Sequence, residues 1–367
     1  MRTVGVEEEL LLVDAEDHRP RAVAGLILSD GDEDAGGTES GGVEAELQQQ
    51  QIEIGTPATT DLGTLRRQLV EFRARADALA LERGARIAPI ATCPVPVVPR
   101  TTIKPRYQRM AEHLGLTTAE QLTCGCHVHV DVSSPDEGVA ILDRIRSRLP
   151  ILVALSANSP FWQGTDSGYA SFRTQAWHRF PTAGPTPVLG SAAAYRRYVD
   201  ALLRTDVPMD EGMIYFDARL SRNYPTVEVR VADVCLRVDD TVLIAALVRA
   251  LADTAGEDWR AGRPAPEVSS DLIRLATWRA SRFGLDDTLL DPLGGEPRPA
   301  WEVVDGLVAE LQEALVAAGD ADRVREGLQR IRAEGTGAEV QRGLAGAGDR
   351  PTFERMLREV VRLGLTE

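Results

Sequence analysis

Within "TCGCHVHVDV" (123–132) two cysteines, two histidines and an aspartate fall in ten positions, a density that raises the question of a metal site. Side chains alternate across an extended strand. Cys124 and Cys126 therefore share one face with Val128, Val130 and Val132, and His127, His129 and Asp131 share the other. A tetrahedral Cys/His zinc site would need both faces of this strand at once, so the cysteines read as small apolar residues and a polar His-x-His face remains. Taken alone, that face also suits a half-solvated strand. In "GVEEELLL" (5–12) the same parity groups Gly5, Glu7 and Glu9 and sends Glu8 to the side of Val6 and Leu10. In "TVEVRVADV" (226–234) it separates Val227, Val229 and Val231 from Glu228 and Arg230. Carboxylates lining a sheet face repel one another unless cations sit between them. Magnesium takes oxygen ligands and shares them with substrate phosphates; Glu7, Glu9, Glu53 and Glu228 suit it, with Glu46 as a further candidate. The alternative is that these glutamates are outward, solvated residues of an open sheet. Glu46 and Glu53 lie seven residues apart, so an unbroken strand would put them on opposite faces; a bulge or turn within "LQQQQ" (47–51) is needed to bring them together.

Helices and strands must hold these residues. "VEAELQQQQIEIG" (43–55) reads as an extended segment, and the acidic, Gly-rich "SDGDEDAGGTESGG" (29–42) before it as a loop. A helix is predicted where apolar residues recur at 62, 65, 69, 72, 76 and 79, with a threonine cap before and Gly84 after. "RIAPIATC" is a strand, and the Pro-rich "PVPVVPRTTIKPR" a loop. Helices follow around 135–158, and then a loop of more than thirty residues (159–191), a length that usually binds something. "SAAAYRRYVDALLRT" is a capped helix, "MIYFDARLSRNYPTVEVRVADV" a hairpin with a polar turn, and everything after Asp239 helical. The fold class is α+β: a mostly antiparallel sheet with helices grouped on one side, organised as a single domain over 1–367, with a sheet-forming part (1–238) and a helical C-terminal part (239–367).

The chain has 367 residues, 41 basic and 56 acidic, for a net charge of −15 that repels polyphosphate backbones; nucleic acid is not an expected partner. No uninterrupted apolar run reaches membrane-spanning length, and three glutamates interrupt the N-terminal apolar run that a signal peptide would need. Four cysteines, two of them one residue apart, do not form a secreted disulfide pattern. The expectation is a cytoplasmic protein with reduced thiols and no membrane partner, and a homodimer by the prior for soluble enzymes.

Taken together, "GVEEEL", "ELQQQQIEIGTP", "GCHVHVDV", "ALSANSPFWQGTDSGYASFR", "TVEVRVADV" and "WRASRFGLDD" resemble the type 2 glutamate–cysteine ligase family, also described as carboxylate–amine ligases, over almost the whole chain. The resemblance implies a glutamine-synthetase-like fold, a curved, mostly antiparallel funnel with helices on its outer side. It also implies an ATP-dependent reaction in which a carboxylate, typically the γ-carboxylate of glutamate, is phosphorylated and an amine such as cysteine displaces phosphate from the acyl phosphate. Carried over by motif, Glu7 and Glu9 match a first acidic pair, Glu46 and Glu53 a second, and Glu228 a late-strand ligand: these are the expected magnesium ligands. His127 matches a histidine near metal and transferring phosphate, and His129 one close to the acid substrate. Arg230 would face the phosphates, and Arg173, in the long loop, would hold a substrate carboxylate. Two departures stand out. Glu8 is a third acid, read as a partner for a helix, and Glu46 stands where aspartate is common. Arg282 is read as a helix-surface ion pair. Competing readings are a metal-dependent hydrolase working through His127, His129 and Asp131 without ATP, and a relative that binds ATP without turnover.

Overall fold

The computed structural model describes residues 1–28, 42–346 and 350–365, so the expected loop at 29–42 lies, except for Gly42, outside the described residues. In chain order the elements are β1 (Val4–Asp14), α1 (Ala24–Leu28), β2 (Gly42–Ala45), β3 (Gln51–Gly55), α2 (Leu62–Leu81), β4 (Ala85–Ala88), α3 (Pro105–Leu114), α4 (Leu116–Ala119) and β5 (Gly125–Asp131). Then come α5 (Pro135–Ile145), α6 (Leu149–Leu155), β6 (Phe161–Trp162), β7 (Thr165–Asp166), α7 (Phe172–Trp177), α8 (Ala192–Leu203), β8 (Ala218–Leu220) and β9 (Thr226–Asp233). The C-terminal part carries α9 (Val238–Arg260), α10 (Ser270–Phe283), β10 (Thr288–Leu290), β11 (Pro297–Pro299), α11 (Ala300–Ala318), α12 (Ala321–Glu334), α13 (Gly337–Ala345) and α14 (Arg350–Leu365).

Seven strands form one antiparallel sheet in the order β2-β3-β1-β5-β9-β8, with β4 also pairing β1. β1 is long enough to hold two partners along one edge, β5 at Val4–Glu8 and β4 at Leu11–Asp14. Its apolar back carries Val4 and Val6 into a core shared with Cys126, Val128, Val229, α2, α5, α6 and α9. α9 is buried along most of its length, which is why its sequence is apolar nearly all round. A second core joins Leu10–Val13, Ile52 and Ile54 to α14 through Phe353, Met356, Leu357, Val360 and Val361.

Glu8 enters this apolar side as a paired charge. Arg73 of α2 grips it with two hydrogen bonds of 2.7 Å and also bonds the carbonyls of Cys235, Leu236 and Gly364, and Thr241 donates to it at 2.6 Å. The expectation of a helix partner for Glu8 holds.

Four local expectations are corrected. The cap of α2 is Asp61, whose carboxylate accepts from Thr64 N at 2.6 Å, not a threonine. The Pro-rich loop ends at Lys104, because Pro105 opens α3, where its missing N–H costs nothing. Segment 43–55 is two strands of a hairpin, not one extended run, and the region after Asp239 contains the β10–β11 hairpin besides helices. Among the described residues Arg282 forms no ion pair; it donates to the carbonyl of Gly168 and lies over Tyr169, at 5.4 Å, and Phe283, at 5.0 Å.

The start of β1 is anchored by Arg2, which bonds Glu137 (2.7 Å) and Asp253 (3.0 Å). Burial works to raise the Glu137 carboxyl, but donors from Arg2 and Ser133 outweigh it and hold it at about 2. A folded-state value below the unfolded one gives stability that is present above about pH 4.5 and is lost as pH falls through 2. Glu137→Gln is expected to lose roughly 1–3 kcal/mol at pH 7. Denaturant titrations should show the gap to the parent narrowing at pH 3; a gap independent of pH would contradict the pairing.

Candidate active site

The cross-strand register assembles the acidic face. Glu9 stands opposite Glu53, Glu7 opposite His127, and His129 opposite Glu228, which in turn faces Arg219 on β8. The β2–β3 hairpin solves the parity of Glu46 and Glu53, since the chain reverses within the glutamine run. Each glutamine there donates to a different carbonyl: Gln48 to Thr118, Gln49 to Thr101, Gln50 to Val98 and Gln51 to Thr123, at 2.7–3.2 Å. Thr102 Oγ1 donates to the Glu46 carbonyl at 2.6 Å. What reads as a spacer in the sequence is the clamp that holds two carboxylates in place.

Glu7, Glu9, Glu46, Glu53, His127, His129, Glu228 and Arg230 line one cavity of about 300 Å³. Arg173 does not line it, a correction to its expected role: it is 2% exposed, with its guanidinium bonded to the carbonyls of Arg230 and Val231. Among the described residues three sets of side chains offer ligand atoms all within 4.8 Å of one another: Glu7, His129 and Glu228; Glu7, Glu53 and His127; and Glu9, Glu46 and Glu53. Asp131 belongs to none of them, because Thr3 donates to its carboxylate through N and Oγ1. The His127–His129–Asp131 arrangement of the hydrolase reading is therefore not assembled. The cysteines lie buried on the opposite face, as parity required, and all four are free.

The charges of the cavity are unbalanced in a way that favours cations. Burial and the carboxylate of Glu46 push Glu9 up to about 7, and burial with Glu7, Glu46 and Glu9 pushes Glu53 well above the usual range. Glu7 goes the other way: burial raises it, but hydrogen bonds with His127 and His129 win and hold it well below. Burial and then Arg230 bring His127 down to about 4, so it is neutral at pH 7. The Nε2 atom of His127 is buried without a hydrogen bond, whereas His129 bonds Thr226 Oγ1 through Nδ1 at 3.0 Å and sets Nε2 3.3 Å from the Glu7 carboxylate; burial works to lower His129, but Glu7 outweighs it and raises it. Carboxylate oxygens from five glutamates, with the neutral imidazole of His127 beside them, form a donor set that fits hard divalent cations.

Sequence reasoning missed Arg219, whose Nε bonds Glu228 at 2.7 Å beside the contact from Arg230; the hairpin register would have pointed to it. It also missed the wall of Tyr107, Met110, Trp177, Phe180 and Tyr215, which comes from α3, α7 and the segments near them. A second, more apolar compartment of about 330 Å³ shares Glu7, His129 and Tyr224 and is otherwise lined by residues such as Gly5, Pro57, Ala58 and Pro225.

A model of the glutamate–cysteine ligase family 2 matches residues 3–360. The chain is 52% identical over 352 residues to a Frankia alni protein provisionally named glutamate–cysteine ligase 2-2, covering 93% of this chain and 92% of that one. It is 50% identical to a Streptomyces coelicolor protein provisionally named glutamate–cysteine ligase 2, over 94% of each chain. Among solved structures it is similar to a bifunctional glutathione synthetase from Pasteurella multocida (TM-score 0.70, 15% identity, 98% of this chain and 52% of that one). It is also similar to a glutamate–cysteine ligase from Francisella tularensis in complex with AMP (TM-score 0.68, 13% identity, 100% and 89%). At these identities the structures speak for the fold, which is the glutamine-synthetase-like one. The sequence match across nearly the whole length says more: the chain belongs to the glutamate–cysteine ligase family 2.

Proposed function

We propose that the protein is an ATP-dependent ligase that joins an amine to a carboxylic acid through an acyl phosphate, with glutamate as the acid and cysteine as one acceptor. The observation that carries this reading is the convergence of five glutamates, two histidines and Arg230 in one cavity, with an apolar compartment beside it that shares Glu7, His129 and Tyr224. The apolar compartment suits an adenine and ribose, and the shared Glu7 and His129 mark the threshold that the triphosphate crosses. Magnesium would be held by Glu7, Glu9, Glu46, Glu53 and Glu228 with the histidines, and when bound it supplies charge neutralisation between two anions.

The chain's own residues do the rest. The substrate carboxylate oxygen attacks the γ-phosphorus in line and the bond to ADP breaks; Arg230 neutralises charge on the transferred group. Arg219 and Arg230 keep Glu228 ionised: burial alone would raise it, and the two guanidiniums hold it well below the usual range. Neutral His127 adds no charge to its surroundings and leaves a lone pair available. An unprotonated amine then attacks the acyl carbon, phosphate leaves, and the wall of Trp177, Phe180 and Tyr215 limits access of water.

The test is phosphate release from ATP and magnesium with glutamate across a panel of amines, with mass detection of the amide. One phosphate per amide, dependent on acid and amine together, is the expected outcome. Product formation without ATP would overturn the proposal in favour of hydrolytic chemistry, and ATP binding without phosphate release from any amine would favour a non-catalytic relative.

A further inference from the structure

Arg173, at the start of α7, does not line the carboxylate cavity, yet its surroundings are built around it. On β9 two residues, Arg230 and Val231, stand opposite the single His127 of β5, because the register moves from Val128↔Val229 to Cys126↔Ala232. This is a β-bulge, a device that re-aims a side chain where it interrupts a ladder. The extra residue also turns Asp233 toward the face of Glu228, since side chains alternate with period two. A bulge leaves carbonyls short of ladder partners. Here Arg173 Nη2 bonds the Arg230 carbonyl at 3.3 Å and Nη1 bonds that of Val231 at 3.4 Å.

The space for this guanidinium is provided by a missing side chain. A Cβ on Gly125, opposite Asp233 in the register, would lie 2.2 Å from Arg173 Nη2 and 2.8 Å from its Cζ. The same glycine donates its N–H to Glu9 at 2.6 Å. The helix that carries Arg173 is fastened in turn. Asp233 accepts from Asn158 N, Ser159 Oγ and Ser171 Oγ at 2.7–2.8 Å, and Ser159 Oγ accepts from Arg173 N at 3.0 Å. Trp177, one turn further on, has its ring centroid 5.8 Å from the Arg173 Cζ and 5.9 Å from that of Arg230. The two guanidiniums are thus linked through backbone and through one indole.

We propose that Arg173 is a positioning residue whose guanidinium, seated over Gly125, fastens the Arg230–Val231 bulge so that Arg230 is aimed into the carboxylate cavity. The inference rests on the ligase reading of that cavity, and it changes the role of Arg173 from substrate clamp to buttress. The guanidinium reaches the two carbonyls from two separate nitrogens held in a rigid plane, whereas an ammonium offers its donors from one atom on a flexible stem.

The test uses the full chain with two readouts, steady-state kinetics and calorimetric affinity for ATP with magnesium. Arg173→Met is expected to lower kcat by roughly 10–100-fold while KM for glutamate moves less than about threefold, the pattern for a loss felt mainly in the transition state. Arg173→Lys is expected to recover less than half of that loss on a logarithmic scale. In an Arg230→Gln background Arg173→Met should add less than about threefold to either readout, since neighbours acting through one group are not additive. A glutamate KM raised tenfold or more at unchanged kcat would overturn the proposal, and so would full multiplicativity with Arg230→Gln. If Arg173→Met does not fold, Gly125→Ala displaces the same guanidinium, and wild-type behaviour there overturns the idea. Should no amine give product, the ligase reading fails alone, because the coupling of Arg173 to Arg230 remains legible in nucleotide affinity.

Discussion

Glu53→Gln is expected to abolish turnover and, in the absence of divalent metal, to make the protein more stable. Among the described residues Glu53 belongs to two of the three groups that could hold a cation, sharing one with Glu7 and His127 and the other with Glu9 and Glu46. Glutamine keeps the shape but offers a neutral, weaker ligand to both. A loss of roughly a thousandfold or more in kcat/KM corresponds to about 4 kcal/mol of transition-state stabilisation. The stability effect has the opposite sign because, without metal, the fold penalises the charged form of Glu53: burial, and then the carboxylates of Glu7, Glu46 and Glu9, all act to raise it. Removing that charge relieves a penalty of roughly 1–3 kcal/mol. Thermal melts in chelator should place the variant above the parent, and melts in millimolar magnesium should erase or invert the difference. A variant that melts lower in chelator and still turns over would sink both the metal assignment and the account of the cavity's charge.

The second large effect is on folding alone. Arg73→Met leaves Glu8, which is fully buried, without its only charged partner among the described residues. Removing one member of a buried pair costs about 3–5 kcal/mol, because the remaining charge keeps its desolvation penalty. The same change releases the carbonyls of Cys235, Leu236 and Gly364, so the end of α14 should loosen from the sheet. The double variant Arg73→Met with Glu8→Met is expected to regain most of the loss, since an apolar pair of similar volume removes both penalties. Urea titration of the three proteins decides the matter. A cost below about 1 kcal/mol for Arg73→Met, or no recovery in the double variant, contradicts the burial argument.

Strand parity was enough to group much of the cavity from the sequence. Glu7 with Glu9, His127 with His129 and Glu228 with Arg230 each share a strand, and alternation is a local rule that needs no knowledge of the fold. The same rule placed the cysteines on the other face and Glu8 with the apolar side. Parity had no means of bringing Glu46 to Glu53, because the turn between them depends on four glutamine amides that reach carbonyls at 98, 101, 118 and 123. Those partners are 48 to 72 residues away in the chain. Arg173 was legible only as a cation in a long loop. Its true surroundings are a bulge, a glycine and an indole that meet in space.

What the sequence by itself determined, then, is the local alternation that makes three strands amphipathic with acids and histidines on one side, together with the motif order that marks the family. Only the tertiary structure decided which of these faces look at one another. It set Glu9 against Glu53 and His129 against Glu228, and it sent Asp131 to Thr3 and Arg173 to the backbone of Arg230. The reason is physical. Side-chain direction along a strand follows from bonded geometry, whereas strand neighbours follow from the burial of distant apolar surfaces and from long-range hydrogen bonds that no short window of sequence contains.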